Sequence, residues 1–263
     1  MNAKDSEYWD GVAQSWSGRQ RQALWRRFCD RINGRMIRQA VADCSGGRAL
    51  KTDLFDETTG SSELISELAR GERQVFGIDL SPVSARIARR STPTLSACAS
   101  DVRRLPFADR VFDIVLSNST LDHMDSLQDV AGALGEIHRV LRPGGRLLMT
   151  LDNLSNPVVA LRAVLPQRWL HALGLVPYYV GATCGPRRLR RLVEEAGLHV
   201  EEIGAMMHCP RLPAVATANL LGRIGSERLE NLFCDILLRC EGLERLSTRY
   251  LSGYFVRLIA VRR

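Results

Sequence analysis

Lysine is almost absent from this 263-residue chain: only Lys4 and Lys51 occur, and the net charge of +7 rests on arginines spread along the whole length. Charge scattered in this way builds no basic stripe, so no nucleic-acid partner is expected despite the high pI. Paired cysteines are missing too. Cys29, Cys44, Cys98, Cys184, Cys209, Cys234 and Cys240 are odd in number and form no CxxC, which speaks against a disulfide framework and for reduced thiols in a cytosol. Apolar runs are broken by Arg, Pro or Asp well before the ~20 residues of a spanning helix. The start, MNAKDSEYWD, carries no apolar signal region, so a soluble cytoplasmic protein is the expectation. Ligand clusters with metal spacing are lacking: Met206-Met207-His208-Cys209 has soft atoms but no spaced partners, and no metal is expected. The one dense basic cluster, PRRLRR at 186–191, reads as the opening of a surface helix, either a solvated face or an anion contact.

What the chain does have is alternation. Residues 6–44 read as helices up to the break Ser45-Gly46-Gly47, and a domain boundary is placed there, with 1–46 as a helical cap and 47–263 as the main domain. RALKTDL, QVFGIDL, TLSACASD, FDIVLSN and GRLLMTLD then read as short apolar strands, separated by segments with helical spacing or caps such as Ser81-Pro82. Such alternation predicts a Rossmann-like α/β fold, a parallel sheet with helices on both faces, whose ligands bind at the carboxyl ends of the strands. A Pro-divided apolar insertion at about 153–185, after the fifth strand, reads as a lid. A second helical insertion spans about 210–245, and GYFVRLIAVRR closes the chain as a strand in an antiparallel hairpin edge.

Polar groups gather at the strand ends. Asp79, in FGIDLSP, stands where a carboxylate would grip ribose hydroxyls, against the alternative that it caps the helix beginning at Ser81. Asp101 could hydrogen-bond an exocyclic amine and Val102 could lie against a purine face, while Phe107 and Phe112 read as core. The fourth strand ends in the polar run from Ser117 to His123. Yet the first loop, LKTDLFDETTG, lacks the glycines that usually let backbone approach a nucleotide, and Gly60 is its only one.

The order of VFGIDLSP, SDVRRLPFADRVFDIVLSNSTLDHM and EIHRVLRPGGRLLMTLDN resembles the class I S-adenosylmethionine-dependent methyltransferases of small-molecule type, over about Arg48 to Asp152. The resemblance implies a seven-stranded, mostly parallel sheet with the last strand antiparallel, and S-adenosylmethionine as cofactor. It assigns Asp79, with Leu80 beside it, to the ribose, Asp101 and Val102 to the adenine, and Asn118 with Ser119 to the methionine end. The family's acidic residue before GxGxG is here Lys51, and the interval from Lys51 to Asp79, 28 residues, is several longer than usual. One outcome is a remodelled pocket in which Asp53, Asp56 or Glu57 meets the cofactor's ammonium and Lys51 its carboxylate. The other is a fold relative that binds a nucleotide or S-adenosylmethionine without methyl transfer, or uses it for another reaction.

In-line methyl transfer needs alignment and exclusion of water more than a fixed triad. His123 is the candidate general base, against a packing or structural hydrogen-bonding role. The aromatics Tyr8, Trp9, Trp16 and Trp25, with Trp169, Tyr178 and Tyr179 of the insertion, suggest a pocket for an apolar or lipid-linked small-molecule acceptor. The apolar insertion, with Arg162 and Arg168, reads as a peripheral membrane contact or, alternatively, as a buried lid or dimer surface.

Overall fold

The computed structural model describes residues 3–17, 22–41, 46–172, 176 and 178–263. Cys44, Ser45, Pro177 and the side chains of Lys4 and His171 lie outside the described residues. Seven strands form one sheet: β1 (Arg48–Lys51), β2 (Gln74–Asp79), β3 (Leu95–Ala99), β4 (Phe112–Asn118), β5 (Leu141–Asp152), β6 (Leu198–Met206) and β7 (Phe255–Arg262), in the order β3-β2-β1-β4-β5-β7-β6. The first five pair in parallel, and β7 runs antiparallel to both β5 and β6. The closing strand is therefore interior, and β6 takes the edge. Its apolar residues explain why: Val256, Leu258 and Ala260 are buried on one face and Ile259 on the other.

Helices cover both faces. α1 (Ala3–Trp16) and α2 (Ala23–Val41) precede the sheet, followed by α3 (Phe55–Thr58), α4 (Glu63–Ala69), α5 (Pro82–Ser91) and α6 (Leu127–Val140). After β5 come α7 (Pro157–Val164), α8 (Gln167–Ala172) and α9 (Pro186–Glu195); α10 (Arg211–Ile224), α11 (Glu227–Cys240) and α12 (Arg249–Ser252) lie between β6 and β7. One core joins α2, α4, α5, α10 and α11 to the sheet, and the other joins α6 and α9 to its opposite face. α6 shows how sequence dictates this. Val130, Ala133, Leu134, Ile137 and Val140 recur at helical spacing and are buried, while Ser126 caps the start by accepting the Asp129 N–H. Phe107 and Phe112 pack edge to face at 4.9 Å in the second core, as core residues should.

Two local devices hold the layers over the strand ends. Ser81 caps α5, and Asp10 of α1 accepts hydrogen bonds from the Ser81 hydroxyl and the Val83 N–H, tying α1 across the end of β2. The insertion is tied down by Gly181 and Ala182, whose N–H groups donate to the carbonyls of Asp122 (2.7 Å) and Met124 (2.6 Å). A Cβ at position 181 would fall 2.1 Å from the Met124 oxygen, so only glycine allows this approach.

Candidate active site

A cavity of about 450 Å³ opens at the carboxyl ends of β1 to β4, roofed by α1, α2 and the insertion. This is the place where an open α/β sheet binds ligands, and the volume suits a small molecule. Asp53, Asp79, Leu80, Asp101, Val102, Asn118, Ser119 and His123 all line it, although they come from four separate strand ends.

Asp79 ends β2 with both carboxylate oxygens engaged by backbone: Oδ2 accepts the Leu54 N–H (2.9 Å) and Oδ1 the Ser81 N–H (2.8 Å). Each oxygen keeps a further lone pair, so the carboxylate can cap the turn and still accept from a vicinal diol. Burial raises its pKa to about 6, against the pull of the two N–H groups. Asp101, after β3, is chelated by Arg103, with the guanidinium contacting both oxygens at 2.7–3.1 Å. Burial opposes its charge, but Arg103 outweighs burial and holds the Asp101 pKa below the ordinary carboxylate value. Arg103 also lines the cavity, a participant that sequence reasoning passed over. At the end of β4, the Thr150 hydroxyl donates to Asn118 Oδ1 (2.9 Å) and accepts from the Ser119 N–H (2.9 Å). The oxygen of the Asn118 amide is thus engaged, which leaves its NH₂ as a donor at the cavity wall.

The first loop takes an unexpected form. Instead of a glycine turn it folds into the single helical turn α3, beneath which Lys51 is wholly buried. Lys51 Nζ donates to the Asp53 carbonyl (3.0 Å), Asp56 Oδ2 (3.2 Å) and Glu57 Oε2 (2.9 Å), so its three N–H donors are all engaged. Lys51, Glu57 and Gly60 lie outside the cavity lining. The placement of Lys51 on a cofactor carboxylate is therefore corrected: the ammonium holds the loop together from below. Glu57 is sequestered with it, and Gly60, at φ +94, serves the turn that leaves α3. Asp53 and Asp56 do line the cavity, with Asp53 Oδ2 accepting from Thr120 Oγ1 at 3.0 Å. The space is made by a glycine elsewhere. A Cβ on Gly77 of β2 would sit 2.6 Å from Leu54 Cδ2, and Leu54 is the fully buried residue that anchors the loop.

His123 follows β4 in a short 3-10 turn, and its Nδ1 lies 2.8 Å from the Tyr179 carbonyl. A carbonyl only accepts, so Nδ1 carries the proton and Nε2 is the lone-pair nitrogen of the neutral ring. The ring packs against Trp9 (5.0 Å) and Tyr178 (5.5 Å). Next to it, Asp122 is buried, with Oδ1 lacking a hydrogen-bond partner, and burial raises its pKa to about 6.

Tyr8, Trp9, Trp16, Trp25, Tyr178 and Tyr179 also line the cavity, joined by Phe55, Met207, Arg211 and Phe255. Trp169 does not join them and stays 56% exposed on α8. Among the described residues no group of three or more His, Cys, Asp or Glu could hold a metal ion, and no helix is long and apolar enough to cross a membrane.

A doubly covered, mostly parallel seven-stranded sheet, with one acid ending β2 and another just after β3 over one cavity, defines a Rossmann-like protein whose ligand site lies at the carboxyl ends of its strands. The comparisons make this specific. Residues 56–149 match the family model described as a methyltransferase domain. The chain is 31% identical over 192 residues to a demethylmenaquinone methyltransferase of Beutenbergia cavernae, covering 72% of this chain and 77% of that protein. It is 30% identical over 118 residues to the corresponding protein of Chlorobaculum tepidum, but there spans 44% of this chain and only 46% of the relative. In fold it superposes on the crystal structure of the cyclase SpnF with a TM-score of 0.60 at 19% identity, over 94% of this chain and 85% of that one. The chain belongs to the class I S-adenosylmethionine-dependent methyltransferases, and S-adenosylmethionine is the cofactor of that family.

The residues fit that cofactor. Asp79 offers lone pairs for two hydroxyls, the Asn118 NH₂ is a donor for a carboxylate, and Asp53 and Asp56 supply negative charge for an ammonium or sulfonium.

Proposed function

We propose that the protein transfers a methyl group from S-adenosylmethionine to a small-molecule acceptor that is apolar or lipid-linked. The observation carrying this is one cavity lined both by acids at the ends of β1, β2 and β3 and by Trp9, Trp16, Trp25 and Tyr178. In this reading Asp79 holds the ribose, Asp101 and Val102 meet the adenine, and Asn118, Ser119 and Asp53 meet the methionine end. Bound there, the cofactor supplies an electrophilic methyl on sulfur. The chain aligns the acceptor, and the aromatic roof of α1 and the insertion, read as cap and lid, excludes water. His123 Nε2 takes a proton where the acceptor must lose one.

The test is transfer of label from methyl-labelled S-adenosylmethionine into organic-extractable products across a panel of apolar acids, phenols and lipid extracts. His123→Gln is expected to lower the rate by about a hundredfold while leaving cofactor binding intact. An unchanged rate would remove His123 as base. Tight cofactor binding with no transfer across the panel would favour the second reading, a fold relative that binds S-adenosylmethionine for another purpose. SpnF, a neighbour in fold, is a cyclase, and this keeps that reading in view.

Exposed Val158, Leu161, Val164 and Trp169 on α7 and α8 support a peripheral membrane contact through which a lipid-linked acceptor would arrive. Co-flotation with anionic vesicles is expected to weaken when Val164 and Trp169 are replaced by Ser. Absence of flotation in the wild type would remove the membrane contact.

A further inference from the structure

Among the described residues three arginines line the cavity, and two are already engaged: Arg103 by Asp101, and Arg26 through its bond to the Thr59 carbonyl (2.9 Å). Arg211 differs. It is half-buried in the cavity wall. Its guanidinium lies over the ring of Tyr254 at 4.9 Å. Among the described residues it has no hydrogen-bond acceptor and no carboxylate within 4.0 Å.

The nearby groups do not supply the missing anion. Tyr178, raised to about 12 by burial, is uncharged at neutral pH. Asp152, the carboxylate near enough to act on Arg211, is ion-paired with Arg162, which also donates to the Tyr254 hydroxyl (2.6 Å). Holding a guanidinium half-buried in a cavity wall without a counter-ion is costly, and such a group is poised for an anion that arrives from outside. Its position is fixed rather than incidental. Arg211 opens α10 directly after a loop whose Met207 and His208 N–H groups are held by Glu241 at 3.0 and 2.9 Å, and Ala214 and Ala218 of the same helix are buried in the core shared with α2.

Location tells which ligand is met. The acids of the cofactor half end β1, β2 and β3, whereas Arg211 stands with Met207 and Phe255, beside β6 and β7 at the other end of the sheet order. One cation with no second free guanidinium beside it among the described residues balances one negative charge. We propose that Arg211 anchors a carboxylate on the methyl acceptor, whose apolar body packs among Trp9, Trp16, Trp25 and Tyr178; this rests on the small-molecule methyltransferase reading of the same cavity.

The test uses octanoate, octanol and octyl phosphate as probes, with S-adenosylhomocysteine titrated separately, on wild type, Arg211→Gln and Arg211→Lys. Tryptophan fluorescence and calorimetry give affinities, and thermal melts report folding. Wild type is expected to bind octanoate about tenfold or more tighter than octanol. Arg211→Gln is expected to erase the preference, Arg211→Lys to keep part of it, and S-adenosylhomocysteine to bind all three alike. Equal affinity for octanoate and octanol, a preference that survives in Arg211→Gln, or tighter binding of octyl phosphate would overturn the proposal. So would selective loss of S-adenosylhomocysteine in Arg211→Gln, which would give the guanidinium to the cofactor's own carboxylate. A wild type that binds no S-adenosylhomocysteine yet prefers octanoate would instead sink the methyltransferase reading while leaving the anion site standing.

Discussion

Replacing Lys51 by methionine is expected to destabilise the fold by about 3–5 kcal/mol near pH 8 and by far less near pH 5, because it breaks a buried ion cluster and strands its acids. Asp53, Glu57 and Asp56 surround the ammonium; burial disfavours its charge, but the acids outweigh burial and hold the pKa above the usual lysine value. Burial also raises Glu57, from 4.5 to about 8, despite the pull of Lys51. The direction with pH follows from that shift. A carboxyl whose folded pKa lies above its unfolded one contributes fully below the unfolded value and loses its contribution as pH rises through the folded value. In the wild type that loss falls between about 4.5 and 8. Without the ammonium the folded pKa of Glu57 climbs further, so the gap between variant and wild type opens as pH rises. Urea unfolding followed by circular dichroism at both pH values checks this, and adding Glu57→Gln is expected to recover part of the loss at high pH. A uniform small effect at both would show that the cluster does not hold the loop.

Asp79→Ala is expected to weaken S-adenosylhomocysteine binding more than a hundredfold. Hydrogen bonds to a charged acceptor contribute about 1.5–3 kcal/mol each, and two hydroxyls lose theirs together, at about 1.4 kcal/mol per tenfold. The same substitution frees the Leu54 and Ser81 N–H groups that shape the cavity edge. A pH dependence goes with it. Since Asp79 titrates at about 6 in the folded protein, wild-type affinity is expected to be level above that value and to fall about tenfold per unit below it. The Asp79→Asn variant is expected to lack this slope, which separates Asp79 from Asp122. An Asp79→Ala protein with unchanged affinity would return Asp79 to the role of a helix cap.

The sheet was legible because its strands are near-continuous apolar runs. FDIVLSN is buried from Phe112 through Ser117, and no helical reading fits seven residues between a turn and a polar cluster. Strand-end acids were legible for the same reason, since position in the alternation fixes where Asp79 and Asp101 must lie. Lys51 was not. A lysine where the resembled family has an acid says that the loop differs, but whether the side chain faces ligand or core depends on Leu54 of the loop filling the space left by Gly77 of β2, a contact between elements far apart in sequence. The closing strand was read as part of a hairpin edge, and its place between β5 and β6 follows from apolar residues on both faces. Arg211 was invisible, one arginine among many, because its isolation arises only when Tyr254, Tyr178 and α2 close around it.

The most direct test is calorimetric titration of the wild-type protein with S-adenosylhomocysteine. One-to-one binding in the micromolar range or tighter is expected, which would establish that a loop without its glycines, braced by Lys51, still forms the cofactor site. No heat and no protection of the cavity tryptophans at millimolar ligand would contradict it and leave a methyltransferase fold that has lost its cofactor.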